Sequence, residues 1–398
     1  MIPRNEYLGN LVSFRDKRLI KVVTGIRRCG KSTLFELYQD YLRGEGVPPE
    51  RIIALNLEDG DYAEIDTGQA LYECVKARIL PGGMNYIFLD EVQRVPDFQK
   101  AVDGLFIKKE CDVYITGSNA YLLSGELATL LSGRYVEIKM LPLSFKEYVS
   151  AFPQDSNVDR LYQSYIHNSS FPYALELQRP KDIRQYLDGI YDSIVLKDII
   201  ARRRFPDIAM LRSVVRFLFD NIGNLCSTKK IADTMTSAGR GISVHTVESY
   251  LEALTDSFIF YRVGRYDIKG RQYLKTGDKY YAADIGLRYN VLGTKKADAG
   301  HILENIVFLE LSRRGYEVYV GKIGAAEVDF IAIGEEGEEY YQVAYTVIDA
   351  DGATLARELA PLEAIDDHNP KYLLTMDYGP LVSHNGIRQL NALDWLLK

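Results

Sequence analysis

The sequence predicts an α/β fold at the start of the chain, a helical and winged-helix middle, and a second α/β stretch at the end. Three observations predict it. Strand and helix signals alternate up to about residue 140. After Leu141-Pro142-Leu143-Ser144-Phe145 the strand signals fade and helical apolar spacing takes over. Beyond Ala299 a helix is followed by a strand and a hairpin. The expected boundaries are 1–150, 151–225, 226–290 and 291–398. A chain of 398 residues has room for two or three domains, each with a core of its own.

Composition narrows the classes. Hydrophobic residues at 47% and charged residues at 26% are ordinary for a globular chain. A net charge of −7 argues against bulk attraction to nucleic acid, so any such binding needs a local patch. Cys29, Cys74, Cys111 and Cys226 lie far apart without a C-x-x-C pair, which gives no zinc site and suits a reducing compartment. Met1-Ile2-Pro3-Arg4-Asn5-Glu6 has no signal-peptide pattern, and no apolar run approaches the ~18 residues of a membrane span. The cytoplasm is the expected compartment, and no membrane partner is expected.

The first strand is Leu19-Ile20-Lys21-Val22-Val23-Thr24, and the first long helix begins Thr33-Leu34-Phe35-Glu36-Leu37-Tyr38. Between them Gly25-Ile26-Arg27-Arg28-Cys29-Gly30-Lys31-Ser32 fits G-x-x-x-x-G-K-[ST], the phosphate-binding loop. Gly25 and Gly30 let successive backbone N–H groups turn inward on an anion. Lys31 reaches the β- and γ-phosphates and the Ser32 hydroxyl ligates Mg²⁺. The helix dipole beginning near Thr33 adds to the site. The expected ligands are ATP and Mg²⁺; a guanine-selecting motif is not evident.

Ile52-Ile53-Ala54-Leu55-Asn56-Leu57, Tyr86-Ile87-Phe88-Leu89-Asp90-Glu91 and Val113-Tyr114-Ile115-Thr116-Gly117-Ser118-Asn119 are the next strands. Ligands bind at the carboxyl ends of such strands, so these endings converge on one crevice with the loop. Asp90 suits the second Mg²⁺ contact. Glu91 is placed to polarise the attacking water. Asn119, beside Ser118, is a candidate for orienting water or touching the γ-phosphate, although Thr-Gly-Ser-Asn is also a good turn sequence. Arg134, in Leu131-Ser132-Gly133-Arg134-Tyr135, is a candidate γ-phosphate sensor or arginine finger, with an ordinary surface arginine as the competing reading. Val136-Glu137-Ile138-Lys139 follows as a strand.

These residues carry a resemblance. Gly-Ile-Arg-Arg-Cys-Gly-Lys-Ser, Phe-Leu-Asp-Glu-Val-Gln, Ile-Thr-Gly-Ser-Asn, Leu-Ser-Gly-Arg and Leu-Pro-Leu-Ser-Phe-Lys-Glu-Tyr together resemble a large prokaryotic family of AAA-type ATPases with a C-terminal domain of unknown function. The resemblance spans nearly the whole chain. It implies a P-loop AAA-like ATPase core, a helical lid and winged helix, and a C-terminal α/β nuclease-like domain.

In the middle, Arg160–Gln178, Asp182–Ile200 and Met210–Ile222 have helical spacing. Similar proteins commonly have Gly-Gly before the Phe-Pro of this region, where this chain has Ser169-Ser170. Arg202-Arg203-Arg204 is a short basic cluster, either a solvated helix end or a phosphate contact. From Ser227 the pattern becomes winged-helix. Thr228–Met235 is a short helix, and Ser243 caps a second through Leu254. The expected wing is the basic connection Arg265–Lys275. The second helix carries Glu248, Glu252 and Asp256, which suit a phosphate backbone poorly, whereas Arg262, Arg265, Lys269, Arg271 and Lys275 suit it better. Double-stranded DNA is one candidate partner; a protein partner or self-association is the other.

At the end, His301–Leu311 is a helix, Tyr316–Val320 a strand, and Glu327–Ile331 with Tyr340–Ala344 a hairpin around Gly334-Glu335-Glu336-Gly337. Period-two alternation puts Glu327 and Asp329 on one face, and likewise Gln342 and Ala344. The order is similar to the PD-(D/E)xK nuclease pattern. That resemblance makes Glu304 the helix acid, Asp329 the central metal ligand and Gln342 the second strand ligand. Its lysine position falls on Ala344, so the sequence implies a vestigial nuclease site lacking its charge-stabilising lysine.

Overall fold

The computed structural model describes residues 2–120, 131, 133–200, 205, 207–293 and 298–398. Ser132 and the Arg202-Arg203-Arg204 cluster lie outside the described residues, as does the side chain of Lys275. The chain divides into two compact units, Met1–Pro142 with Asp256–Phe258, and Leu143–Thr255 with Ile259–Lys398.

The first unit is built on strands β1 (Ile20–Thr24), β2 (Ile52–Asn56), β3 (Asn85–Asp90), β4 (Cys111–Gly117) and β5 (Tyr135–Lys139). They form one sheet in the order β2-β3-β4-β1-β5, with every pairing parallel. β1 and β3 are buried along their whole length, as strands covered on both faces must be. Alternation along β3 divides the two faces. Ile87 and Leu89 join a core with Val22, Ile53, Leu71, Val102 and Ile115, to which the helices Gly68–Lys76 and Phe98–Ile107 contribute. Phe88 points the other way, stacks on Tyr114 at 4.8 Å and meets Phe35 of the helix Lys31–Gly44 at 5.2 Å. The five strands stand within two residues of where their apolar runs put them. β1 has β4 on one side and β5 on the other, so the strand order reverses there and the loop after β1 opens into the crevice at the strand ends.

The second unit opens with helices. Phe145–Ser150 has a capping box between Ser144 and Glu147. Val158–Asn168, Pro180–Asp192, Ile208–Asp220, Thr228–Ser237 and Val244–Asp256 follow, with a π-helical stretch over Ser193–Ile200. The helix expected across Arg160–Gln178 breaks at Ser169, whose φ of +89° and ψ of 151° no helix can hold.

Strands β6 (Phe260–Asp267), β7 (Gln272–Ala282), β8 (Glu317–Ile323), β9 (Ala326–Gly334), β10 (Gly337–Ala344), β11 (Lys371–Thr375), β12 (Val382–His384) and β13 (Ile387–Asn391) form a second sheet in the order β12-β13-β11-β10-β9-β8-β6-β7. The stretch expected as a wing is therefore a long antiparallel hairpin. Its first strand is also bonded in parallel to β8, Arg265–Asp267 against Val320–Lys322. Phe260, Val263 and Tyr266 are buried along β6, with a register shift between Val263 and Arg265, and Tyr266 packs against Tyr273 and Tyr319. The helix Ala299–Arg313 lies almost wholly buried, with Glu304, Asn305 and Glu310 among its buried residues. Among the described residues no helix is long and apolar enough to cross a membrane.

Candidate nucleotide site

The loop Gly25–Ser32 has the backbone its sequence demands. Gly25 has φ +149°, and a Cβ there would meet the Met140 carbonyl oxygen at 2.1 Å. Gly30 has φ +104° in the left-handed region and starts the helix that begins at Lys31. Ile26 and Cys29 are fully buried, Arg28 is exposed, and Thr33 is half-buried in the first helical turn. Burial pushes the Cys29 thiol up, which keeps it protonated. The loop is pinned from the chain's start. The buried Arg4 guanidinium donates to the Cys29 carbonyl at 2.9 Å and to the Leu141 carbonyl at 2.7 Å. Nothing local marks Arg4, since its partners are backbone oxygens 25 and 137 residues away.

Lys31 is buried and donates to the carbonyls of Gly25 at 3.1 Å and Ile26 at 3.4 Å. Its Nζ stands 3.6 Å from Glu91 Oε1. Asp90 and Glu91 end β3 with opposite electrostatics. Burial and the charge of Glu91 push Asp90 up, against hydrogen bonds from Ser32 and Thr116. Burial also acts on Glu91, but the charges of Lys31 and Arg27 and hydrogen bonds from Gln93 and Ser118 outweigh it and hold the carboxyl below its usual range. The Ser118 hydroxyl donates to Glu91 Oε2 at 3.1 Å, and Gln93 Nε2 donates to the same oxygen. Glu91 itself sits at φ +52°, a left-handed conformation that is costly for a glutamate. Its N–H donates to Thr116 Oγ1 at 2.9 Å, and the Thr116 hydroxyl donates to Asp90. Thr116 on β4 thus orients both acids at the end of β3. Asn119 is buried just past β4, next to Ser118. The crevice so gathers Lys31, Ser32, Asp90, Glu91, Ser118 and Thr116 around the loop.

Arg134 does not join them. It precedes β5, whose first residue Tyr135 pairs with Ile20, the first residue of β1. The phosphate loop leaves the other end of β1, ~16 Å away along the strand. Arg134 instead pairs with Asp103 at 2.6 Å and lies over Phe106. Its expected place as a γ-phosphate sensor within its own chain is corrected on that ground: it stands where its strand begins, at the opposite end of the sheet's strands from the phosphate loop.

A second polar cluster lies in the second unit. Lys279 of β7 is buried and donates to Glu304 at 2.9 Å and to Glu327 at 2.8 Å, with Asp329 Oδ1 at 3.7 Å. Tyr281 donates to the same Glu304 oxygen at 2.6 Å. Asp329 Oδ2 accepts from the Val343 N–H at 2.9 Å, and Gln342 bridges the Asp329 N–H to Glu358. Burial, with the charge of Glu304, raises Asp329 to about 8 against the pull of Lys279. The three residues of the vestigial pattern are thus brought together, and Ala344 stays buried without a polar role. A buried lysine from β7 stands among these acids. Sequence spacing could not find it, because Lys279 lies 25 residues before Glu304, on a strand outside the pattern.

Comparison with known proteins supports a P-loop fold of the AAA type for the first unit. The profile of a family described as AAA domain matches residues 17–149, and one described as a domain of unknown function (DUF8612) matches residues 159–298. The Walker-type ATPase of Pyrococcus abyssi has a similar fold, with a TM-score of 0.51 at 16% identity over 73% of this chain and 96% of that one. An uncharacterised protein of Methanocaldococcus jannaschii is 29% identical over 82% of this chain and 74% of its own length. An uncharacterised protein of Haemophilus influenzae is 43% identical over 100% of this chain and 99% of its own length. The chain belongs to the same family as that Haemophilus influenzae protein, a family built on a P-loop ATPase core of the AAA type.

Proposed function

We propose that this chain binds ATP with Mg²⁺ and hydrolyses it slowly, coupling nucleotide state to its winged-helix and C-terminal segments. The observation that carries this is the convergence of Lys31, Ser32, Asp90 and Glu91 on one loop, with Glu91 held ionised and Ser32 bonded to Asp90. That hydroxyl and carboxylate form an oxygen donor set suited to a hard divalent cation. Bound there, the metal would neutralise phosphate charge. The backbone of Gly25, Ile26, Arg27, Arg28, Cys29 and Gly30 cradles the phosphates, with Thr33 in the turn beyond. Lys31 turns from the loop carbonyls to the β- and γ-phosphates. Glu91 accepts the proton of the attacking water, which Asn119 helps to orient. The test is ATP turnover with and without Mg²⁺, alongside Glu91→Gln. Turnover unchanged in that variant would remove Glu91 from its role.

The working compartment we propose is the cytoplasm. Double-stranded DNA is the candidate macromolecular partner, through the exposed Lys269 and Arg271 at the β6–β7 turn; Arg262 is already paired with Asp278. Lys269→Ala with Arg271→Ala should weaken all duplexes alike and reduce the salt slope by about two. A parent that binds no duplex at low salt leaves a nucleotide-gated protein switch as the reading. For the C-terminal segment we propose no nuclease activity. The Lys279 ammonium already stands between Glu304, Glu327 and Asp329, where an open metal site would hold its cation. Metal-dependent nicking of supercoiled DNA by the parent, lost in Asp329→Ala, would establish an ATP-dependent nuclease instead.

A further inference from the structure

Glu58 follows β2, and one of its oxygens holds two arginines. Arg27, inside the phosphate loop, has NH1 at 3.3 Å from Glu58 Oε1, and Arg94, just past Glu91, has NH2 at 3.3 Å from the same atom. The group is only partly shielded, with side-chain exposures of 20% for Arg27, 34% for Glu58 and 54% for Arg94. Two guanidinium groups sharing one oxygen at that distance are held weakly, since a bidentate pair would use both oxygens at about 2.8 Å. The place matters more than the strength. Arg27 is close enough to Glu91 that its charge helps to keep that carboxyl ionised. The shared Glu58 oxygen also ties it to Arg94, in the turn that directly follows Glu91, and so to the side of the loop nearest the water-activating group, where a terminal phosphate must stand to be attacked.

We propose that Arg27 is the cation that distinguishes a nucleoside triphosphate from a diphosphate in this site, and that Glu58, with Arg94 as its second partner, holds Arg27 when the γ-phosphate is absent. This rests on the ATP reading above. A γ-phosphate offers several charged oxygens in the fork geometry a guanidinium prefers, and it outcompetes the shared carboxylate oxygen. Arg27 then turns onto the phosphate while Glu58 keeps Arg94. A diphosphate ends short of Arg27 and leaves the Arg27–Glu58–Arg94 bridge closed. Arg134 cannot take this role within the chain, because it stands at the other end of the strands from the phosphate loop.

The test measures Kd for ATP and ADP, in the absence of turnover, by displacement of a fluorescent ADP analogue from the full chain. Arg27→Ala and Arg27→Gln should each weaken ATP about tenfold or more while ADP changes less than about twofold, the loss of one charge-assisted contact. Glu58→Gln removes the competitor, so ATP should tighten about twofold to fivefold relative to ADP. Arg94→Ala should shift the ratio less than Arg27→Ala does. Equal loss of ATP and ADP in both Arg27 variants would make the residue a structural part of the loop and overturn the proposal. So would an unchanged ATP-to-ADP ratio in Glu58→Gln and Arg27→Ala together. A parent that binds neither nucleotide sinks the ATP reading itself, and this proposal with it; a parent that binds both with a ratio insensitive to Arg27 sinks only the proposal.

Discussion

Each unit buries a lysine among carboxylates, and the two lysines are held in different ways. Lys31 rests on two loop carbonyls, with one carboxylate oxygen 3.6 Å away. Lys279 has Glu304 and Glu327 within 2.9 Å and Asp329 at 3.7 Å. Backbone carbonyls are exchangeable partners, and Glu91 keeps Arg27, Gln93 and Ser118 around its carboxylate, so Lys31 can move to an arriving phosphate at small cost. Lys279 cannot move without exposing three acids to each other in a dry core. A buried ammonium thus marks a ligand site only where its present partners are neutral or loosely held.

The sharpest break of that comparison removes each ammonium in turn. Lys31→Ala should abolish measurable ATP binding, a loss of at least 100-fold by fluorescent-nucleotide titration. It should leave the fold intact, because only carbonyls and one acid lose a partner. Lys279→Met should do the reverse. Nucleotide binding should persist while the second unit loses about 3–5 kcal/mol, the usual cost of breaking a buried ion pair from one side. Trp395 is the chain's single tryptophan and is buried in the second unit, so its fluorescence during denaturant unfolding reports that unit alone. Equal stability in parent and Lys279→Met would show that the cluster is solvated and its lysine dispensable.

A smaller effect tests the charge balance around Lys279. Three carboxylates cannot all ionise beside one ammonium, and burial with the charge of Glu304 raises Asp329 from its ordinary 3.8 to about 8. Between those values the folded chain holds a proton that the unfolded chain has released. Stability of the second unit should therefore fall as pH rises from about 4 to about 8, and the slope should end above that. Asp329→Asn mimics the protonated form and should flatten the slope. A parent slope that survives unchanged in Asp329→Asn would assign the proton elsewhere.

What the sequence disclosed follows from how local each feature is. The five strands of the first unit, the loop glycines, Lys31, Ser32, Asp90 and Glu91 are legible because a parallel βα unit puts them next to each other along the chain. Arg134 is misplaced because its motif is local, whereas its distance from the phosphate loop depends on the register of β5 against β1, which puts it at the opposite end of the strands. Arg4 and Lys279 were missed because their partners lie across the fold, not within a motif. The charges of the expected wing are visible in sequence, while the bonding of its first strand to β8 depends on a strand some 50 residues later.

The smallest predicted effect concerns backbone strain, which the two units also use differently. Glu91 sits at φ +52° in the crevice, where its side chain has a proposed chemical role. Ser169 sits at φ +89° and ψ 151°, a conformation that glycine adopts far more readily. Its hydroxyl offsets part of the strain by accepting from the Phe171 N–H at 3.1 Å. The next residue, Ser170, donates from both its N–H and its hydroxyl to the buried Asp284, and Gly286 packs so closely that a Cβ there would stand 2.4 Å from the Ser169 nitrogen. The turn is thus fixed by its surroundings, and a side chain at 169 must accept a glycine conformation. Ser169→Ala loses the hydroxyl and keeps the strain. Ser169→Gly loses the same hydroxyl and releases the strain, offset in part by the greater freedom of the unfolded glycine chain. Tryptophan-monitored unfolding should therefore rank parent above Ser169→Gly, and Ser169→Gly above Ser169→Ala by about 1 kcal/mol. Ser169→Ala as stable as Ser169→Gly would mean that the turn relaxes to an ordinary conformation once the hydroxyl is gone, and that the hydrogen bond to Phe171 is what holds Ser169 at positive φ.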